Sequence, residues 1–97
     1  MSKVDVARRF GENLRRCRKR TGLSQEALGY RASLHRTEIG LLERGERVPR
    51  IDTLIKLTQA LPADAADLLD GITWEAGKTK VTPGRFSLSS EVPSDHA

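Results

Sequence analysis

The chain has little of what enzymes and secreted domains rely on. Of its 97 residues one is cysteine and two are histidine. Cys17 alone cannot close an internal disulfide, which fits a reducing cytoplasm. His35 and His96 do not stand with it at any spacing that holds zinc. Aromatic residues number four, Phe10, Tyr30, Trp74 and Phe86, a mix that suits a helical bundle better than a sheet. No apolar run approaches the roughly 20 residues of a membrane span, and the N-terminus has no apolar signal segment. There is no Gly-rich phosphate loop, no supported carboxylate dyad and no nucleophile with a base beside it. No catalysis, metal, cofactor or membrane partner is therefore expected.

What the chain does have is aliphatic and basic. The formal net charge of +4 is unevenly spread. Residues 1–50 hold 13 Lys/Arg against 6 Asp/Glu, and residues 51–97 hold 4 against 7. A basic half suits a polyanionic partner, although ordinary solvated helix faces would give the same count.

The length suffices for one small domain. Val6, Phe10, Leu14 and Cys17 fall at helical spacing and predict an amphipathic helix. It ends in "RRCRKR" (15–20) and a stop at Gly22. That basic cluster either complements the helix dipole or faces a polyanion. Ser24 is a good N-cap for a short second helix that breaks near Ala32-Ser33. A third helix is expected over Arg36–Arg44, closed by Gly45, and a fourth over Asp52–Leu61 with Leu54, Leu57 and Leu61 on one face. Asp64 caps a fifth, with Asp67 three residues on, ending at Gly71. Beyond Gly71, Pro, Gly and Ser recur at short intervals. Phe86 and Leu88 alternate with polar neighbours, which predicts one short strand. A lone strand needs a partner, and none is evident in the chain. Trp74 is expected to cover the core's edge, and the last residues, "VPSDHA", to be disordered.

Residues 24–45 have the spacing of a helix-turn-helix: an eight-residue helix, a tight turn and a second helix at a steep angle. Gly29 supplies the small residue where the helices cross. Leu28, Leu34, Ile39 and Leu42 supply the apolar pins.

The segment "LSQEALGYRASLHRTEIGLLERGERVPRIDTLIKLTQAL" (23–61) resembles the Cro/cI-type, or Xre-like, helix-turn-helix family. The marks are Ser-Gln-Glu-x-Leu, Ile-x-x-x-Glu-x-Gly and the Pro before the next helix, and the likeness covers roughly residues 5–71. It implies an all-α, five-helix, phage-repressor-like DNA-binding domain over residues 1–71. The resemblance says nothing of residues 72–97, which are expected to form a flexible or single-strand tail, partly disordered and available for dimerisation.

The resemblance also implies roles. The third helix would enter the major groove with its N-terminal residues at base edges, placing His35, Arg36, Thr37 and Glu38 there and Leu41 one turn later. Arg36 could grip guanine O6 and N7, for about 1–3 kcal/mol of discrimination. Thr37 would meet a thymine or a phosphate, and Leu41 a thymine methyl. Glu38 would accept from a cytosine amino group or, the favoured reading, hold Arg36 in place. Ser24 and Gln25 would bind the DNA backbone at a helix N-terminus. Arg44 and Arg47 would contact phosphates, and Arg50 the backbone or minor groove. Arg18 and Glu43 match a buried structural ion pair of some relatives. Two departures stand out: Ser33 occupies a turn position usually held by glycine, and Gly40 sits inside the recognition helix, either for close approach to DNA or merely tolerated.

The expected function is a sequence-specific transcriptional regulator, a cytoplasmic repressor binding an inverted repeat on double-stranded DNA as a homodimer. So small a contact area binds weakly as a monomer. Half-site centres would lie about 34 Å apart. Two alternatives compete: an antitoxin whose tail engages a protein partner such as a toxin or antirepressor, and a protein-interaction module that lost DNA binding.

Overall fold

The computed structural model describes residues 3–89. Expectations for "VPSDHA" fall outside them. Five helices are followed by two strands: α1 Lys3–Arg20, α2 Gln25–Ala32, α3 Arg36–Glu43, α4 Ile51–Ala60, α5 Ala65–Leu68, β1 Ile72–Glu75 and β2 Arg85–Leu88.

Local sequence explains the helix ends. Asp5 lies in the first turn of α1 and Arg18, Lys19 and Arg20 in the last, each sign at the dipole end that favours it. Gly22, at φ 75°, turns the chain left-handed, and its N–H donates to the Lys19 carbonyl at 3.0 Å. The Ser24 hydroxyl accepts from the Ala27 N–H at 3.0 Å, capping α2. At α5 the Asp64 N–H donates to the Asp67 carboxylate at 2.8 Å, the reciprocal half of a capping box. The helices keep the expected order, with no end shifted by more than three residues.

The core is one cluster. Phe10, Leu14 and Cys17 from α1, Leu28 from α2, Ile39 and Leu42 from α3, Leu57 from α4, and Leu61 and Leu68 are each at most 2% exposed. Burying one such large side chain contributes about 1.5–3 kcal/mol, so these few residues hold the helices together. Close approach needs a glycine that nothing in the sequence pattern singles out. A Cβ on Gly11 would lie 2.4 Å from the Leu42 carbonyl and 2.6 Å from that of Glu43. Only a residue without a side chain lets α1 lie against the end of α3.

The tail differs from expectation. The strand around Phe86 and Leu88 finds its partner within the chain: β2 pairs antiparallel with β1 in the register Ile72↔Leu88, Thr73↔Ser87, Trp74↔Phe86, Glu75↔Arg85. "ITWE" is too short to show a period, which is why the partner is missed in the sequence. Paired residues share a face, so Ile72, Leu88, Trp74 and Phe86 lie on one side of the ribbon. Ile72 packs against the helical core. Trp74 does not cover the core's edge as expected. It is 59% exposed and meets Phe86 edge-on at 5.0 Å. Its ring also lies over Gly84, where a Cβ would come within 2.4 Å of it.

Two buried polar side chains of α1 hold the end of α5 and the end of the ribbon. Asn13, fully buried, donates to the carbonyls of Leu68 and Asp70, both at 2.9 Å, capping the end of α5. Arg9, 8% exposed, donates through Nη2 to the Ser89 carbonyl. Its Nη1 lies where a Cβ on Gly71 would stand. The ribbon is therefore docked on the helical domain rather than trailing from it.

Candidate nucleic-acid interface

The turn between α2 and α3 depends on two residues. Ser33 adopts φ 56°, the left-handed conformation usually left to glycine, which costs a side-chain-bearing residue about 1–2 kcal/mol. Gly29 lets the turn rest on α2: a Cβ there would lie 2.5 Å from the Leu34 carbonyl and 3.3 Å from the Arg36 nitrogen. The Leu34 N–H donates back to the Gly29 carbonyl at 2.8 Å.

α3 divides end to end. Ile39 and Leu42 are wholly buried, whereas His35, Arg36 and Thr37 are exposed. His35 is the N-cap, its Nδ1 accepting from the Thr37 N–H at 3.0 Å. In the neutral ring the proton then sits on Nε2, which leaves that nitrogen as a donor. Glu38 and Leu41 are half-buried, and Leu41 stands outside the core cluster. Arg36 is held by an acid other than the one favoured from sequence. Its Nη1 meets Glu26 at 3.3 Å, not Glu38, because the turn between the helices sets the first turn of α2 beside the first turn of α3.

Behind this surface the helices are tied by charge. Arg18 of α1 donates from Nε and Nη2 to the two Glu43 oxygens at 2.6 and 2.9 Å, and from Nη1 to the Leu23 carbonyl at 2.8 Å. The two side chains are only 11% and 3% exposed. Hydrogen bonding to Glu43 raises the Arg18 pKa above its ordinary value. Glu43 also accepts from the Gln25 amide at 3.1 Å. One carboxylate thus joins α1, α2 and α3, and it fixes the orientation of Gln25 at the N-terminus of α2.

Gln25, Arg36, Thr37, Gly40 and Arg44 line a cleft of about 310 Å³ between α2 and α3. A Cβ on Gly40 would lie 2.9 Å from Arg44 Nη1 and 3.7 Å from Gln25 Oε1, so glycine keeps the cleft floor open. Arg44 pairs with Glu46. Arg50, the N-cap of α4, lies 3.3 Å from Asp52. Arg47 is exposed and makes no ion pair with any described residue. Gln25, Arg36 and Arg44 thus border one cleft, while Arg47 and Arg50 follow on the loop to α4. The acids Glu26, Glu46 and Asp52 are not evident from sequence as partners. Glu46 and Asp52 stand two residues from their arginines, a spacing that could have flagged them; Glu26 is ten residues from Arg36. A larger open depression, about 630 Å³, lies along α2 and is lined by Leu23, Ser24, Glu26, Ala27, Tyr30 and Arg31. Of the cleft's residues it shares none.

Among the described residues no group of three His, Cys, Asp or Glu side chains could hold a metal. No helix among them is long and apolar enough to cross a membrane.

Two short helices joined by a tight turn, the second with an exposed polar first turn, define a DNA-binding transcription regulator of the helix-turn-helix class. The chain belongs to the helix-turn-helix domain family, whose model matches residues 9–70. It is 40% identical over 65 residues to control protein C.BamHI of Bacillus amyloliquefaciens, a match spanning 66% of this chain and 80% of that one. Over 66 residues it is 42% identical to control protein C.SmaI of Serratia marcescens, covering 68% and 79% of the two chains. Among solved structures it is similar to the restriction-modification controller protein C.AhdI of Aeromonas hydrophila. There the TM-score is 0.62 and the identity 37%, over 64% of this chain and 94% of that one. The ribbon lies beyond the residues that the family model matches.

Proposed function

We propose that this regulator reads an inverted-repeat operator as a homodimer, with Arg36, Thr37 and His35 at base edges, Glu38 and Leu41 beside them, and Ser24, Gln25, Arg44, Arg47 and Arg50 on the DNA backbone. The observation that carries the reading is the division of α3: its last turns are sealed into the core while its capped first turn stands clear. Such a helix can enter a groove without disturbing the domain. The Arg18–Glu43 pair serves as a brace, not a DNA contact. Relatives named as control and controller proteins support a regulatory role.

A second copy would supply the second half-site. Its surface is α5 together with the ribbon, where Leu69 and Trp74 remain 42% and 59% exposed. The test is selection of bound duplexes from a random pool, with the mass of the protein measured alone and on its best site. Enrichment of an inverted repeat bound by two chains is the expected result. Enrichment of nothing, or of a single half-site bound by one chain, would overturn the proposal.

A further inference from the structure

Gly40 is buried in the middle of α3 and has no left-handed φ to explain it. Glycine is the poorest helix former after proline, so the reason for it lies in what surrounds it. Gly11 and Gly29 have such a reason within the domain. A Cβ on either would strike a backbone carbonyl, at 2.4 and 2.5 Å, and packed backbone cannot move aside. Gly40 differs from both. The atom nearest its Cβ would be Arg44 Nη1 at 2.9 Å, the far end of a flexible side chain, followed by Gln25 Oε1 at 3.7 Å, an ordinary contact distance. An alanine would fit the packed domain once the guanidinium swung outward. What would be lost is the place of Arg44, whose guanidinium lies low over Gly40 in the cleft it shares with Gln25.

We infer that the cleft between α2 and α3 seats a single DNA phosphate, and that Gly40 is its positioning residue, letting Arg44 lie low enough to share that phosphate with the start of α2. The inference rests on the proposed place of Gln25 and Arg44 on the DNA backbone. Both walls of the cleft hold free donors. On α3, Glu46 takes Nε of Arg44, which leaves the two terminal nitrogens for the phosphate. On α2, Glu43 takes one amide hydrogen of Gln25. The other remains, together with the main-chain N–H of Gln25, which opens a helix and has no partner within it. The lining suits an anion, with two arginines and no acid. A methyl at position 40 would lift Arg44 away and leave the phosphate held from α2 alone. Because a phosphate carries no sequence information, the loss would be the same on every duplex.

The experiment titrates the full chain with the duplex it selects from a random pool and with a scrambled duplex of equal length and composition, across a series of salt concentrations. Melting is followed without DNA. Gly40→Ala should raise the melting temperature by up to about 5 °C, as alanine for glycine inside a helix does. It should nevertheless weaken both duplexes by the same factor, on the order of tenfold, the size of one charge-assisted hydrogen bond. The salt slope should fall by about one. In an Arg44→Ala background the same exchange should still raise melting but cost no further affinity, since no guanidinium is left to displace. Unchanged binding by a stabilised Gly40→Ala would make the glycine merely tolerated, and lower melting would make it a packing residue. A loss confined to the selected duplex would put a base, not a phosphate, in the cleft. Each of these results overturns the inference, as does a further loss of affinity without Arg44. A wild-type chain that binds neither duplex would instead overturn the reading beneath it.

Discussion

Arg18 of α1 and Glu43 of α3 meet through two hydrogen bonds while both are almost withdrawn from water. Neither helix could shift along the other without separating them, and Gln25 shares the same carboxylate. The pair therefore sets the angle at which α3 is presented. Replacing Arg18 with Ala would leave Glu43 buried without its partner, at a cost of about 3–5 kcal/mol. Equilibrium denaturation measures it, and a loss under about 1 kcal/mol, as for a surface pair, would show that the brace carries no weight.

The turn should respond in opposite directions to two glycine exchanges. Gly29→Ala drives a methyl into the Leu34 carbonyl and should destabilise by about 1–3 kcal/mol. Ser33→Gly relieves the left-handed backbone at φ 56° and should stabilise by up to about 1 kcal/mol, since glycine adopts that region freely but loses more entropy on folding. Melting temperatures of the two variants, compared with wild type, check the signs.

Asn13 is a hidden joint between α1 and the end of α5. Asn13→Ala would leave the carbonyls of Leu68 and Asp70 without donors, a loss of about 1–3 kcal/mol. Ending the chain after Gly71 removes Ile72 from the core's edge and the Ser89 carbonyl from Arg9. The shortened domain should fold but melt below the full chain, and bind its operator more weakly. Unchanged melting would mean that the ribbon is not docked in solution.

Base reading and phosphate binding can be separated by two arginines. Arg36→Ala should cost about 1–3 kcal/mol on the selected site and relax the preference at one base pair. Arg47→Ala should weaken all sequences alike and lower the salt slope by about one. Competition assays with single-base variants of the operator distinguish the two patterns, and an equal loss on every sequence from Arg36→Ala would remove it from the base-reading set.

The sequence by itself determined the helices and the turn. Those features rest on local rules: the four-residue spacing of Phe10, Leu14 and their neighbours, Ser24 as a cap, glycines at 22 and 45 where the chain reverses, and Gly29 where a side chain would obstruct. It also separated the two characters of "SLHRTEIGLLERG", polar at the start and aliphatic after it. What only the tertiary structure decided are the partnerships between distant residues. Glu26, not Glu38, holds Arg36, because the turn between α2 and α3 and not sequence spacing brings the charges together. The tail strand finds its mate in "ITWE", since a four-residue pattern is too short to announce a strand and pairing is a property of two segments at once. Trp74 turns onto Phe86 and Gly84 for the same reason. Gly11, Asn13 and Arg9 read in the sequence as ordinary positions of a helix face. Each has its importance from what lies across from it: the end of α3, the end of α5 and the carbonyl of Ser89.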